Sequence, residues 1–203
     1  PSIDILGINV YGGIEMTSIN IQKYNWEKPY IITEWGVNGP FEAKITSWGA
    51  KVEPPNGVKA NTRLRRYKKL IETDSFNCLG SYCFLWGQKQ ESTSTWHGMF
   101  LSNKNPTEAV DVMHYCWKGF WPKSQAPSIT NINLNGSNWK NEHILEKDSI
   151  SVLDFEFENY NNQKIEIKYV LYPEAFSNKM GGDFQESPNP IELDIVEKKL
   201  NQM

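Results

Sequence analysis

The residues best suited to chemistry sit at the end of a short apolar run. In Lys28-Pro-Tyr-Ile-Ile-Thr-Glu-Trp-Gly36, the β-branched and aromatic residues Tyr30 to Thr33 lead directly into Glu34. Such a run reads as a strand buried on both faces. In parallel sheets and barrels the C-terminal strand ends carry the chemistry. Glu34 is therefore a candidate nucleophile or proton-transfer group; alternatively it caps the next helix or pairs with a neighbouring base. Ile3 to Gly13 repeats the pattern, with Asn9 and Tyr11 at its end. They are two apart and so point to the same side of a strand. A third apolar run, Leu79 to Trp86, ends in an indole. Beyond it, Gln88 to His97 is polar apart from Trp96, and offers the amides of Gln88 and Gln90 beside that ring. This stretch reads equally as a ligand-contacting loop or a solvated one.

Helices must connect these strands. Thr17 to Trp26 reads as a short helix with Thr17 or Ser18 as N-cap. Gly57 to Asp74 is the strongest helix, with Leu64, Tyr67, Leu70 and Ile71 on one stripe. Its basic residues Arg63, Arg65, Arg66, Lys68 and Lys69 read as a solvated outer face. Pro106 to Lys118 reads as a last helix with Asn105 as N-cap and Ala109, Met113 and Cys116 inward. Phe41 to Pro55 is a long loop on the strand-end side. Strand and helix thus alternate, as βαβ units require.

After Gly119-Phe-Trp-Pro the texture changes. Ile129, Ile132 and Leu134 lie in one strand that ends at Asn135-Gly136; a second spans Ser149–Glu158 and a third Ile165–Leu171, with alternating polarity. Ile191 to Leu200 reads as one more strand. Short alternating strands about ten residues apart suggest a β-sandwich.

The composition is that of a globular protein, 39% hydrophobic and 22% charged over 203 residues. A net charge of -3 gives no electrostatic reason to expect nucleic acid or anionic membrane as a partner. No apolar run approaches the length of a membrane span. Three cysteines, Cys78, Cys83 and Cys116, form neither a disulfide framework nor a zinc pattern, and the three histidines are not at metal-ligand spacing. No metal or cofactor is implied. The load of 8 Trp, 9 Tyr and 9 Phe suits a cleft that stacks on flat apolar ligand faces. A start at Pro1 inside an apolar run reads as a piece of a longer protein.

Asp4-Ile-Leu-Gly-Ile-Asn-Val-Tyr11, Lys28 to Gly36 and Tyr82-Cys-Phe-Leu-Trp86, in that order, resemble strands six, seven and eight of a TIM barrel from the retaining glycoside hydrolases of clan A. The likeness is to family-2-type proteins that append an immunoglobulin-like domain. It covers residues 1 to about 135 and is weaker beyond, where Tyr172-Pro-Glu174 and Gly181-Gly-Asp183 carry it. The resemblance implies the C-terminal part of a (β/α)8 barrel over 1–120, a linker over 121–127 and an incomplete β-sandwich over 128–203. It makes Glu34 the catalytic nucleophile, Tyr11 its supporting donor and Trp86 the floor of the sugar subsite. Asn9, Trp35, Trp96, Gln88 and Gln90 become candidate contacts to a carbohydrate substrate. The implied reaction is hydrolysis of β-linked O-glycosides with retention, in an extracellular or periplasmic setting. The alternative is a non-catalytic carbohydrate-binding or structural relative. The family's general acid/base ends strand four, which is absent here. Glu42, Glu53 and Glu91 lie on nearby loops, and nothing transfers the role to them. The remaining, upstream strands would be a partner needed for folding.

Overall fold

The structure, a computed structural model, describes residues 3–74, 77–175 and 183–196. It is a mixed α/β arrangement with few helices and two small sheets. In the first sheet, β1 (Leu6–Asn9), β2 (Tyr30–Trp35) and β3 (Cys78–Cys83) run parallel with β2 in the centre. The connections carry α1 (Thr17–Lys23) and α2 (Asn56–Arg66), the latter continued by a π-helical turn over Tyr67–Ile71. The third helix, α3 (Glu108–Lys118), follows β3.

All three helices pack on one face of the sheet. Ile21, Tyr30, Ile32, Ala60, Ile71, Cys78, Val112 and Met113 are buried between them. Gly7, Asn9, Thr33, Leu79 and Tyr82 are exposed on the strands. The expectation of strands buried on both faces is therefore wrong for the edge strands β1 and β3, and for β2 at Thr33. Their apolar runs read as two-sided, but helices cover only one side.

Two caps also differ. A 3-10 turn over Gly12–Met16 runs straight into α1, so neither Thr17 nor Ser18 caps it. Thr107, not Asn105, caps α3, accepting from the Ala109 backbone N–H at 3.4 Å. The inward stripe of Ala109, Met113 and Cys116 is buried as expected.

The second sheet is antiparallel, in the order β5-β4-β6, with β4 (Ser128–Leu134), β5 (Ser137–Asn138) and β6 (Leu153–Glu158). Asn135 and Gly136 form the β4–β5 turn, both at positive φ (51° and 75°), the backbone of a tight hairpin turn. The expected strand over Ile165–Leu171 does not form. Ile165, Ile167 and Tyr169 are half-buried and alternate with exposed neighbours, and Tyr169 meets Phe155 edge-on at 6.5 Å. Among the described residues the stretch has the side-chain pattern of a strand without a ladder beside it, and one bridge joins Leu171 to Ile191. Of the expected strand from Ile191 to Leu200, residues 197–200 lie outside the described residues, as do Gly181 and Gly182.

The second sheet is seated on the first unit. At the start of α2, a Cβ on Gly57 would collide with the Ser128 side chain and lie 2.6 Å from the Ile129 carbonyl oxygen. The Asp111 carboxylate accepts from the Ala126 N–H at 2.7 Å and Glu108 from the Ile129 N–H at 3.3 Å. These bonds tie the expected linker and the start of β4 to α3.

Candidate active site

The site lies at the C-terminal ends of β1 and β2. The pairing register slips between Ile8 and Asn9 on β1, and between Ile32 and Trp35 on β2. An irregularity of this kind re-aims side chains. Tyr30 and Ile32 point into the helix layer. Unbroken alternation would send Glu34 after them; the slip sends Trp35 instead, which has no exposed surface. Glu34 turns to Tyr11, whose hydroxyl donates to its Oε2 at 3.1 Å. Burial, the charge of Glu34 and this hydrogen bond raise the Tyr11 phenol well above the ordinary tyrosine value. Tyr11 therefore stays protonated and remains a donor. Beside it, Asn9 Oδ1 accepts from Thr33 Oγ1 at 2.6 Å, which fixes the exposed amide across the two strand ends.

Two aromatic rings close on Tyr11 from the end of β3. Phe84 meets it edge-on at 5.9 Å, His97 lies tilted against it at 5.3 Å, and the two pack on each other at 5.4 Å. The Phe84 N–H donates to the Trp35 carbonyl at 2.7 Å. Gly36 permits this crossing, since a Cβ there would lie 2.9 Å from the Phe84 carbonyl oxygen. His97 is 2% exposed, and burial pushes its pKa down to about 4, with Glu91 opposing and Arg63, Lys59 and Lys89 assisting. Neither Phe84 nor His97 stood out in sequence. Phe84 lies within an apolar run and His97 ends a polar loop, with no spacing to mark either.

The other residues expected to contact substrate lie in different surroundings. Trp86 does not join this cluster; it lies 60% exposed against Phe100 at 5.1 Å and Trp117 at 6.2 Å. The strand ends at Cys83, so period-two alternation does not extend to Trp86, and Phe84 takes the place beside Tyr11. Trp35 is core, stacked obliquely on Tyr67 at 6.1 Å. Trp96 is 1% exposed, with its indole N–H bonded to the Asn38 carbonyl at 2.9 Å. Gln90 is buried and bonded to Ser92 and Ser187. None of these three faces solvent. Gln88 is exposed, with its amide on the Ser94 carbonyl at 3.2 Å.

The other loop carboxylates are engaged elsewhere. Glu42 accepts from the Gly12 and Gly39 N–H groups at 2.8–3.0 Å. Glu53 binds Lys59, Thr93 and Thr95. Glu91 pairs with Lys89 at 2.9 Å and stands 3.9 Å from His97 Nε2. Among the described residues no cluster suited to a metal ion occurs, and no helix is long and apolar enough to cross a membrane.

No family model matches the chain, and no curated protein matches it. Among solved structures it is similar to a β-glucuronidase of Bacteroides uniformis, with a TM-score of 0.37 and 14% identity over 77% of this chain and 26% of that one. A calcium-binding mutant of the same organism's β-glucuronidase 2 gives 0.39 and 12% over 77% and 25%. That enzyme covalently bound to cyclophellitol-6-carboxylate aziridine gives 0.36 and 13% over 77% and 26%. The chain thus spans about a quarter of the length of the glycosidases it resembles in structure, at low identity and low structural overlap.

Proposed function

We propose that this chain is the C-terminal part of a retaining glycoside hydrolase barrel acting on β-linked carbohydrates, with Glu34 as its nucleophile. In this reading residues 1–120 supply strands six to eight of a (β/α)8 barrel, 121–127 link, and 128–203 begin an immunoglobulin-like sandwich. The observation that carries it is the Tyr11–Glu34 contact, a donor from one parallel strand end to a carboxylate on the next.

Retaining hydrolysis uses two carboxyl groups about 5–5.5 Å apart. The nucleophile must be ionised as it attacks, so a neutral donor beside it is the arrangement the reaction needs. Tyr11, kept protonated, supplies that donor. The exposed ends of Asn9 and Gln88 would bind sugar hydroxyls, and Phe84 would present an apolar edge to the ring. The second carboxyl group would come from barrel strands that complete the sheet over its exposed face. The alternative is a non-catalytic carbohydrate-binding or structural relative; the burial of Trp35, Trp96 and Gln90, which takes three expected sugar contacts out of reach, favours its structural form.

Hydrolysis of aryl β-glycosides by a protein carrying the completed barrel decides between the two. Glu34→Gln should abolish turnover while leaving the fold intact by circular dichroism. Turnover near that of the unaltered protein would remove Glu34 from the reaction.

A further inference from the structure

The basic residues of α2 are not all solvated: Arg63 and Arg66 are 2% and 4% exposed. Taking a guanidinium out of water is costly unless it is paired and hydrogen-bonded. Among the described residues neither forms an ion pair with a carboxylate. Both direct their terminal N–H groups at the loops that follow β2 and β3, while the Nε–H of each is buried without a partner among the described residues. Arg66 donates to the Gly36 carbonyl at 2.7 Å and to Asn38 Oδ1 at 2.5 Å. Arg63 donates to the His97 carbonyl at 3.0 Å. The two loops are joined to each other through Trp96 and the Asn38 carbonyl. Gly36 is two residues from Glu34, and the His97 ring lies on Tyr11.

We propose that Arg63 and Arg66 are positioning residues: a pair of buried guanidiniums that grip both loops from behind and hold Glu34 and Tyr11 in register. The inference rests on reading Tyr11 and Glu34 as the working pair. At Arg66 a planar fork suits the task because it bonds two acceptors at fixed angles, and at Arg63 it aims one terminal N–H at the His97 carbonyl from a buried position. An ammonium keeps the charge but not this geometry, so lysine should not restore the grip.

The test is the 13Cζ shift of Tyr11 at pH 7 in the protein carrying the completed barrel, assigned with Tyr11→Phe. Glu34→Gln marks the position when the carboxylate partner is altered. Arg63→Met and Arg66→Met should move the Tyr11 resonance toward that position. Should the methionine variants fail to fold, Arg63→Lys and Arg66→Lys, which retain the charge, should move it the same way. A Tyr11 resonance that stays at its original position in the folded lysine variants, whatever their thermal stability, would overturn the proposal. The readout needs no turnover, so loss of the hydrolase reading through an inactive parent is separable from loss of the clamp.

Discussion

At the scale of single residues, the account turns on one hydroxyl. Tyr11 donates a hydrogen bond to Glu34 and is itself held neutral by burial and by the carboxylate beside it. Tyr11→Phe removes the donor and leaves the ring against Phe84 and His97. In the completed enzyme it should lower kcat about 10²-fold, the usual effect of losing one oriented donor, as measured by steady-state kinetics. His97 gives a second prediction. Its folded pKa of about 4 lies below its ordinary value of 6.5. Between these values the unfolded chain takes up a proton that the folded chain does not. Its contribution to stability is therefore complete above pH 6.5 and is lost as pH falls toward 4. His97→Phe should flatten that decline, seen as a smaller gap between urea midpoints at pH 7 and pH 5.

At the scale of elements, the positions of the strands were legible because each is a compact apolar run closed by glycine or polar residues. Glu34 and Tyr11 were legible because they end those runs. The side-chain directions were not. Trp35 is one residue from Glu34, and a register slip that no composition reveals decides which of them enters the core. Phe84 and Trp86 are both aromatic ends of the same run, and the strand's stop at Cys83 separates their fates. Arg63 and Arg66 read as surface because a charged residue at helical spacing usually is, yet carbonyls from two loops receive them. The 165–171 stretch had the alternation of a strand, but alternation describes side-chain burial and does not supply a neighbouring ladder. The close approach of β4 to α2 was equally silent in sequence. It yields a prediction for Gly57→Ala: overpacking against Ser128 and the Ile129 carbonyl should destabilise the chain by about 1–3 kcal/mol, read from urea unfolding.

At the scale of the whole molecule, the first sheet has one face under helices and the other open. Leu79 and Tyr82 are 57% and 65% exposed, and both edge strands are without a further partner among the described residues. Open edges and apolar faces of this kind associate. The chain on its own should therefore self-associate in sedimentation velocity; a stable monomer would count against a barrel fragment. The second unit is no loose appendage. Glu142 accepts from the Ser47 N–H at 2.6 Å, and Gln185 accepts from the Ser92 N–H at 2.7 Å. The latter bond holds the loop that carries Gln90 and Glu91.

In the proposed function Glu34 attacks the anomeric carbon. Incubating the completed enzyme with a panel of 2-deoxy-2-fluoro β-glycosides, which trap the covalent intermediate, and sequencing the modified peptide by mass spectrometry tests it directly. The account predicts one glycosyl group, attached to Glu34 and absent from Glu34→Gln. A glycosyl group on any other carboxylate would contradict it.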